Sequence, residues 1–170
     1  SYLKVFCLSF LTLIVSCKKD MKTQSDNILL QEWQGPYGGV PAFDKMSVSD
    51  IQSAVETGME LNLAEIETIA NSTEPATFEN TIAAMERSGA ELDRVFSYYG
   101  IMSSNMSSPE FREVQGVLAP KLSEFSSKIN QNKALFNRIK AVYDASMTTP
   151  LDADQQRVVA LTYNSFAMRG

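Results

Sequence analysis

The chain has 170 residues, 44% of them hydrophobic and 21% charged, with a formal net charge of −5. That composition excludes a disordered or collagen-like polypeptide and suits one domain with a sizeable core. With no histidine in the sequence, an imidazole acid-base group, a His-liganded zinc or a Ser-His or Cys-His nucleophile pair cannot be built from it, and an acidic balance without a Lys/Arg run opposes nucleic-acid binding.

After Lys4, residues 5–16 carry no charge. They fit the apolar core of a signal peptide and fall short of the ~20 residues a transmembrane helix requires. The run ends in Ile14-Val15-Ser16-Cys17-Lys18-Lys19-Asp20, which resembles a bacterial lipoprotein box. The resemblance implies a lipoprotein signal peptide over 1–16, cleavage between Ser16 and Cys17, and lipidation of Cys17. Small side chains there let the backbone into the peptidase, and a thiolate accepts the diacylglycerol. A cleaved secretory signal with an incidental cysteine, or a buried apolar strand, are the alternatives. Lipidation places the chain in the bacterial cell envelope, held to a membrane on its periplasmic or outer-membrane face; the leaflet stays open. Residues 17–27 read as a polar tether. Because Cys7 and Cys17 are the two cysteines, no disulfide staples the rest. The folded body is expected over 28–170, as a piece of a longer product.

From Leu29 to Lys45, glycines and prolines punctuate an irregular segment in which Trp33, Tyr37 and Phe43 are expected to anchor on helices. A phosphate cradle is disfavoured, because no Gly-Lys-Ser/Thr follows and no strand precedes. The string Trp33-x-Gly35-Pro36-Tyr37-Gly38-Gly39-Val40-Pro41-x-Phe43-Asp44 resembles the N-terminal region of the peptidyl-dipeptidase branch of the thimet oligopeptidase family, which are zinc metallopeptidases.

Ser47 to Asp50 offers a capping box. Ile51, Val55, Met59, Leu63, Ile66 and Ala70 then repeat every three or four residues, predicting a helix over about 50–71. Glu56, Glu60, Glu65 and Glu67 fall off that stripe. Glu56 and Glu60 stand four apart as an acid-base pair would, but nothing nearby would position a substrate, so a solvated face is favoured. Thr77 caps a second helix, whose stripe of Phe78, Ile82, Met85, Leu92, Phe96, Tyr99 and Met102 predicts one continuous rod with Gly89 admitting a close neighbour. Pro75-Ala76-Thr77-Phe78-Glu79-Asn80-Thr81-Ile82, with Met85-Glu86-Arg87-Ser88-Gly89 after it, resembles a second block of the same family.

Ser108-Pro109-Glu110 starts a third helix bearing Phe111, Val114, Leu118, Leu122, Phe125 and Ile129, with a kink expected at Pro120. A fourth, from about Ala134, uses Leu135, Phe136, Ile139, Val142, Tyr143 and Met147. A fifth starts at Asp152, with Gln155 completing its cap and Val158, Val159, Thr162, Tyr163 and Phe166 on its buried side. Leu135-Phe136-x-Arg138-Ile139-Lys140 and Leu151-Asp152 with Gln155-Gln156-Arg157 extend the resemblance, which spans about 28–170. Without a sustained period-two pattern, the fold class is all-α, an array of about five antiparallel helices. It is expected to leave apolar faces for residues outside the chain to cover.

The resemblance implies the N-terminal helical part of a peptidase that cleaves short peptides, releasing C-terminal dipeptides, and that is a monomer at full length. It also implies a zinc ion held by a later His-Glu-x-x-His helix, whose Glu would deprotonate the zinc-bound water. None of those residues occurs here, so the zinc, the catalytic residues and the metal ligands are expected outside this chain, which alone should be inactive. A self-contained, lipid-anchored helical binding module without catalysis is the alternative.

Overall fold

The computed structural model describes residues 27–149 and 151–169. The signal peptide expected over 1–16, the lipidation site Cys17 and the tether up to residue 26 lie outside the described residues. Asn27, read as the end of the tether, is part of the fold. Its Oδ1 accepts the Leu29 N–H at 3.0 Å, and its Nδ2 donates to the Asp50 carbonyl at 2.9 Å. This pins the short 3-10 turn Ile28–Leu30 against the first helix and buries Leu29 and Leu30.

Helix α1 (Val48–Ala70) begins where Ser47 leaves the helical region, with the Ser47 N–H donating to Asp50 Oδ2 at 2.8 Å. At 1.5 Å per residue it is about 34 Å long, and its apolar face serves two cores. Ile51, Ala54, Val55 and Met59 join Leu29, Leu30, Leu92, Val95, Tyr98, Met102, Phe111 and Leu118. Ile66 and Ala70, two turns on, join Ile82, Leu135, Ile139, Val142, Val159 and Phe166. Gly58 faces Leu92 in the first core, where an added Cβ would meet Leu92 Cα at 3.1 Å. A helix-weakening residue is kept there because the two backbones approach so closely.

The predicted second rod is two helices. Thr77 Oγ1 accepts the Asn80 N–H at 3.1 Å, as a cap should. The chain then enters a π-helical turn (Phe78–Ile82) that passes into the short α2 (Ala83–Arg87) and stops. Gly89 adopts a left-handed conformation (φ 81°) before α3 (Ala90–Asn105) begins. That residue has no Cβ to clash with the preceding turn, so it can reset the helix axis. The reset also rotates the buried face of α3. Val95 and Tyr98 are buried with Leu92 and Met102, whereas Phe96 and Tyr99, expected inside, are half-buried. Among the described residues the α-helices number six, the five-residue α2 included, which agrees with an array of about five, and the all-α architecture stands.

Helix α4 (Pro109–Asn130) is capped by Ser108 Oγ, which accepts the Phe111 N–H at 3.1 Å, and it runs through Pro120. Its stripe is fully buried at Phe111 and Leu118; Leu122, Phe125 and Ile129 are half-buried. Asn132 caps α5 (Lys133–Ser146), and Asp152 caps α6 (Ala153–Ala167), accepting the Gln155 N–H at 2.8 Å. Met147, expected in the α5 core, is 59% exposed.

The segment before α1 lies on Tyr98. Trp33 and Phe43 approach that ring edge-on at 6.4 and 5.0 Å, and the Ala42 N–H donates to the Tyr98 hydroxyl at 2.7 Å. Tyr37 is not the anchor expected of it. It is fully solvent-exposed with φ at 59°, on a turn closed by an isolated bridge between Gln34 and Val40. Three nearby glycines with positive φ, Gly35, Gly38 and Gly39, turn its ring away from the helices.

Candidate functional site

Where the two cores meet, α1 carries a buried amide. Asn62 Nδ2 donates to Ser88 Oγ at 3.2 Å, and one turn on Glu65 Oε2 accepts the Gly89 N–H at 2.7 Å. Glu67 follows, accepting Asn71 Nδ2 at 2.8 Å and Asn132 Nδ2 at 2.9 Å. The face of α1 that the sequence suggests is merely solvated thus ties α1 to the α2–α3 break and to the start of α5.

A larger polar tie reaches α5. Arg138 is buried, and its Nη1 donates to the Ser72 and Glu74 carbonyls at 3.0 and 2.8 Å. Its Nη2 donates to Asn80 Oδ1 at 2.9 Å and Thr81 Oγ1 at 3.3 Å. A planar guanidinium can span such divergent acceptors, where an ammonium could not. The sequence held a signal for it: Arg138 shares the stripe of Leu135, Ile139 and Val142, so a charged group on an apolar face needed a partner.

The pair Glu56 and Glu60 does not form an acid-base site. Glu56 Oε1 accepts from Lys121 Nζ at 2.6 Å and from Gln52 Nε2 at 2.9 Å, while Glu60 is exposed. Chiefly the Lys121 hydrogen bond, then that of Gln52, holds the Glu56 carboxyl below the usual carboxylate range. It is an ion bridging α1 and α4, not a proton donor. Because the folded group titrates lower than the unfolded one, its contribution is complete above roughly pH 4.3, where free glutamate titrates. It fades as pH falls through the folded value. Glu56→Gln is expected to cost less than about 1 kcal/mol at neutral pH, since the pair is partly exposed. Urea titrations should show variant and parent converging in acid; a gap that persists there would contradict the assignment.

The described residues line at least two grooves. One, of about 180 Å³, separates α1 from the second half of α4, with Met59, Leu63 and Phe125 between the charges of Glu60, Lys121 and Glu124. The other, of about 550 Å³, lies where the end of α4, the start of α5 and the end of α6 meet, over Phe136 and Phe166. Among the described residues no group of three His, Cys, Asp or Glu is placed to hold a metal ion, and no helix is long and apolar enough to cross a membrane. Ser16 and Cys17 lie outside the described residues. What the described residues offer is a grooved helical surface.

Residues 52–170 match the family described as Neurolysin/Thimet oligopeptidase, N-terminal domain. The chain is 32% identical over 146 residues to a dipeptidyl carboxypeptidase of Salmonella typhimurium, covering 86% of this chain and 21% of that protein. It is 31% identical over 130 residues to the dipeptidyl carboxypeptidase of Escherichia coli, covering 76% and 19%. To oligopeptidase A of Escherichia coli it is 25% identical over 131 residues, covering 77% and 19%. The matched stretch is about a fifth of the length of each of these relatives.

Proposed function

The chain belongs to the neurolysin/thimet oligopeptidase family through its N-terminal domain, and from that premise we propose that it is one helical wall of a zinc metallopeptidase that hydrolyses short peptides and releases dipeptides from their C-terminal ends. The reading is supported above all by similarity along most of the chain to relatives named dipeptidyl carboxypeptidase. The chain's own residues do not fit the metal. There is no histidine, and the α1 carboxylates Glu56, Glu65 and Glu67 are engaged by Lys121, Gly89 and two asparagines. The part proposed for these helices is to shape and shield the space in which peptides are held, with zinc held by polypeptide outside this chain.

The full-length product of the native gene should release dipeptides from short synthetic peptides, detected by mass spectrometry, and lose that activity to a chelator. The 170-residue chain alone should release none. A full-length product without His-Glu-x-x-His, or a peptidase indifferent to chelation, would overturn the proposal.

On the sequence pattern at its start we also propose a lipid-anchored protein of the bacterial envelope, cleaved after Ser16 and lipidated on Cys17. Cells fed radiolabelled palmitate should label the parent protein and not Cys17→Ala. Equal labelling of both would remove the anchor.

A further inference from the structure

Of the two grooves described, the larger is lined by charge opposite in sign to that of the chain. Its rim carries Lys133 and Arg169, its floor is Phe136 and Phe166, and the rest of its lining is Asn130, Gln131, Asn132 and Ala167, with no carboxylate. None of the ion pairs among the described residues engages either cation; Arg169 reaches the Asn130 amide oxygen at 3.5 Å. The apolar floor continues outward as a ledge of rings: Phe136 stacks on Tyr163 at 5.9 Å, and Tyr163 on Tyr143 at 4.1 Å. Beside Arg169, Met168 is 81% exposed. An apolar floor under two uncompensated cations, in a chain of net charge −5, is complementary to a segment that is apolar on one side and acidic along its edge.

The groove's position selects among possible occupants. One of its walls is the end of α6, and the family match runs to residue 170. The relatives are about five times as long as the stretch they share with this chain. In the full-length protein proposed above, polypeptide leaving α6 therefore starts at the rim. A tethered segment acts at an effective concentration of about millimolar, which a free peptide seldom matches. Resting on that reading of the chain as an N-terminal portion, we infer that the groove seats the polypeptide that follows α6. That segment is an amphipathic helix whose apolar side covers the half-buried Phe136, above the core residue Phe166, and whose Asp or Glu residues lie over Lys133 and Arg169.

Zero-length carbodiimide cross-linking of the full-length native protein, read by mass spectrometry, tests this. The reagent joins the Lys133 amine to a carboxyl group within contact distance as an amide and carries off the water as its urea. Lys133 should be found linked to an Asp or Glu beyond residue 170. Lys128 and Glu124, paired at 2.8 Å, supply the internal positive control. Lys133→Arg, which keeps the charge and the fold but presents no amine, should lose the downstream link and retain the control. The double variant Lys133→Glu/Arg169→Glu should speed amide hydrogen exchange in the downstream helix. A protein that continues past residue 170 and forms the control link, yet leaves Lys133 unlinked downstream, overturns the seat while leaving the peptidase reading intact. Protection of Lys133 from acylation by an added acidic peptide does the same, and would make the groove a site for free ligands. A native gene that ends by residue 170 removes both.

Discussion

Replacing Arg138 with alanine is expected to lower the free energy of unfolding by about 3 kcal/mol, the largest loss from a single polar side chain in this fold. The guanidinium is buried and bonds four acceptors, two on the loop that leaves α1 and two in the π-helical turn that follows: the Ser72 and Glu74 carbonyls, Asn80 Oδ1 and Thr81 Oγ1. Hydrogen bonds to a charged group are worth about 1.5–3 kcal/mol each, but Ser72 and Glu74 lie near solvent and can recover water. Thr81 is fully buried and cannot. Arg138→Lys should restore less than half of the loss, because one ammonium cannot face both sets of acceptors. Urea midpoints for the three proteins decide it. A loss below about 1 kcal/mol for the alanine variant would mean that the loop is held by its own turns.

Gly89→Ala is the second, with an expected cost of about 2–3 kcal/mol. Part is conformational: a left-handed φ of 81° costs a residue with a Cβ roughly 1–2 kcal/mol. The remainder is contact, since the new methyl would stand 2.9 Å from Asn62 Nδ2 and 3.1 Å from its Cγ. The two parts separate in a double-mutant cycle. On an Asn62→Ala background the clash is gone and only the backbone strain remains, so the same substitution should cost about half as much. Equal costs on both backgrounds would show that Asn62 moves aside freely.

These two positions also mark how far the sequence could be read. Helix starts were legible wherever a short polar side chain precedes an apolar period, as at Ser47, Thr77, Ser108 and Asp152, because capping is a local contest settled within four residues. The stripe on α1 was legible for the same reason. The buried face of α3 was legible only in part. A period of 3.6 carried across Gly89 assumes one unbroken axis; with that glycine left-handed, Leu92 and Met102 stay inside as expected, but Val95 and Tyr98 are the residues buried between them, and Phe96 and Tyr99 pack half-buried against the same core. Arg138 stood on an apolar stripe as a charge in need of a partner, but its acceptors, more than fifty residues earlier, came into view only with the loop in place. Tyr37 looked like an anchor because aromatic rings usually are, but in its turn the backbone conformation decides where the ring points. Of chemistry there was little to read, since the sequence has no histidine and the carboxylates of α1 that looked free hold helices together.

One helix lending its sides to two separate cores has a consequence for how the molecule comes apart. Neither cluster has a complete wall without α1, so neither can persist as an independent folding unit once that helix frays. Native-state hydrogen exchange should find the slowest amides along the middle of α1, with both clusters releasing their protection together at the free energy of global opening.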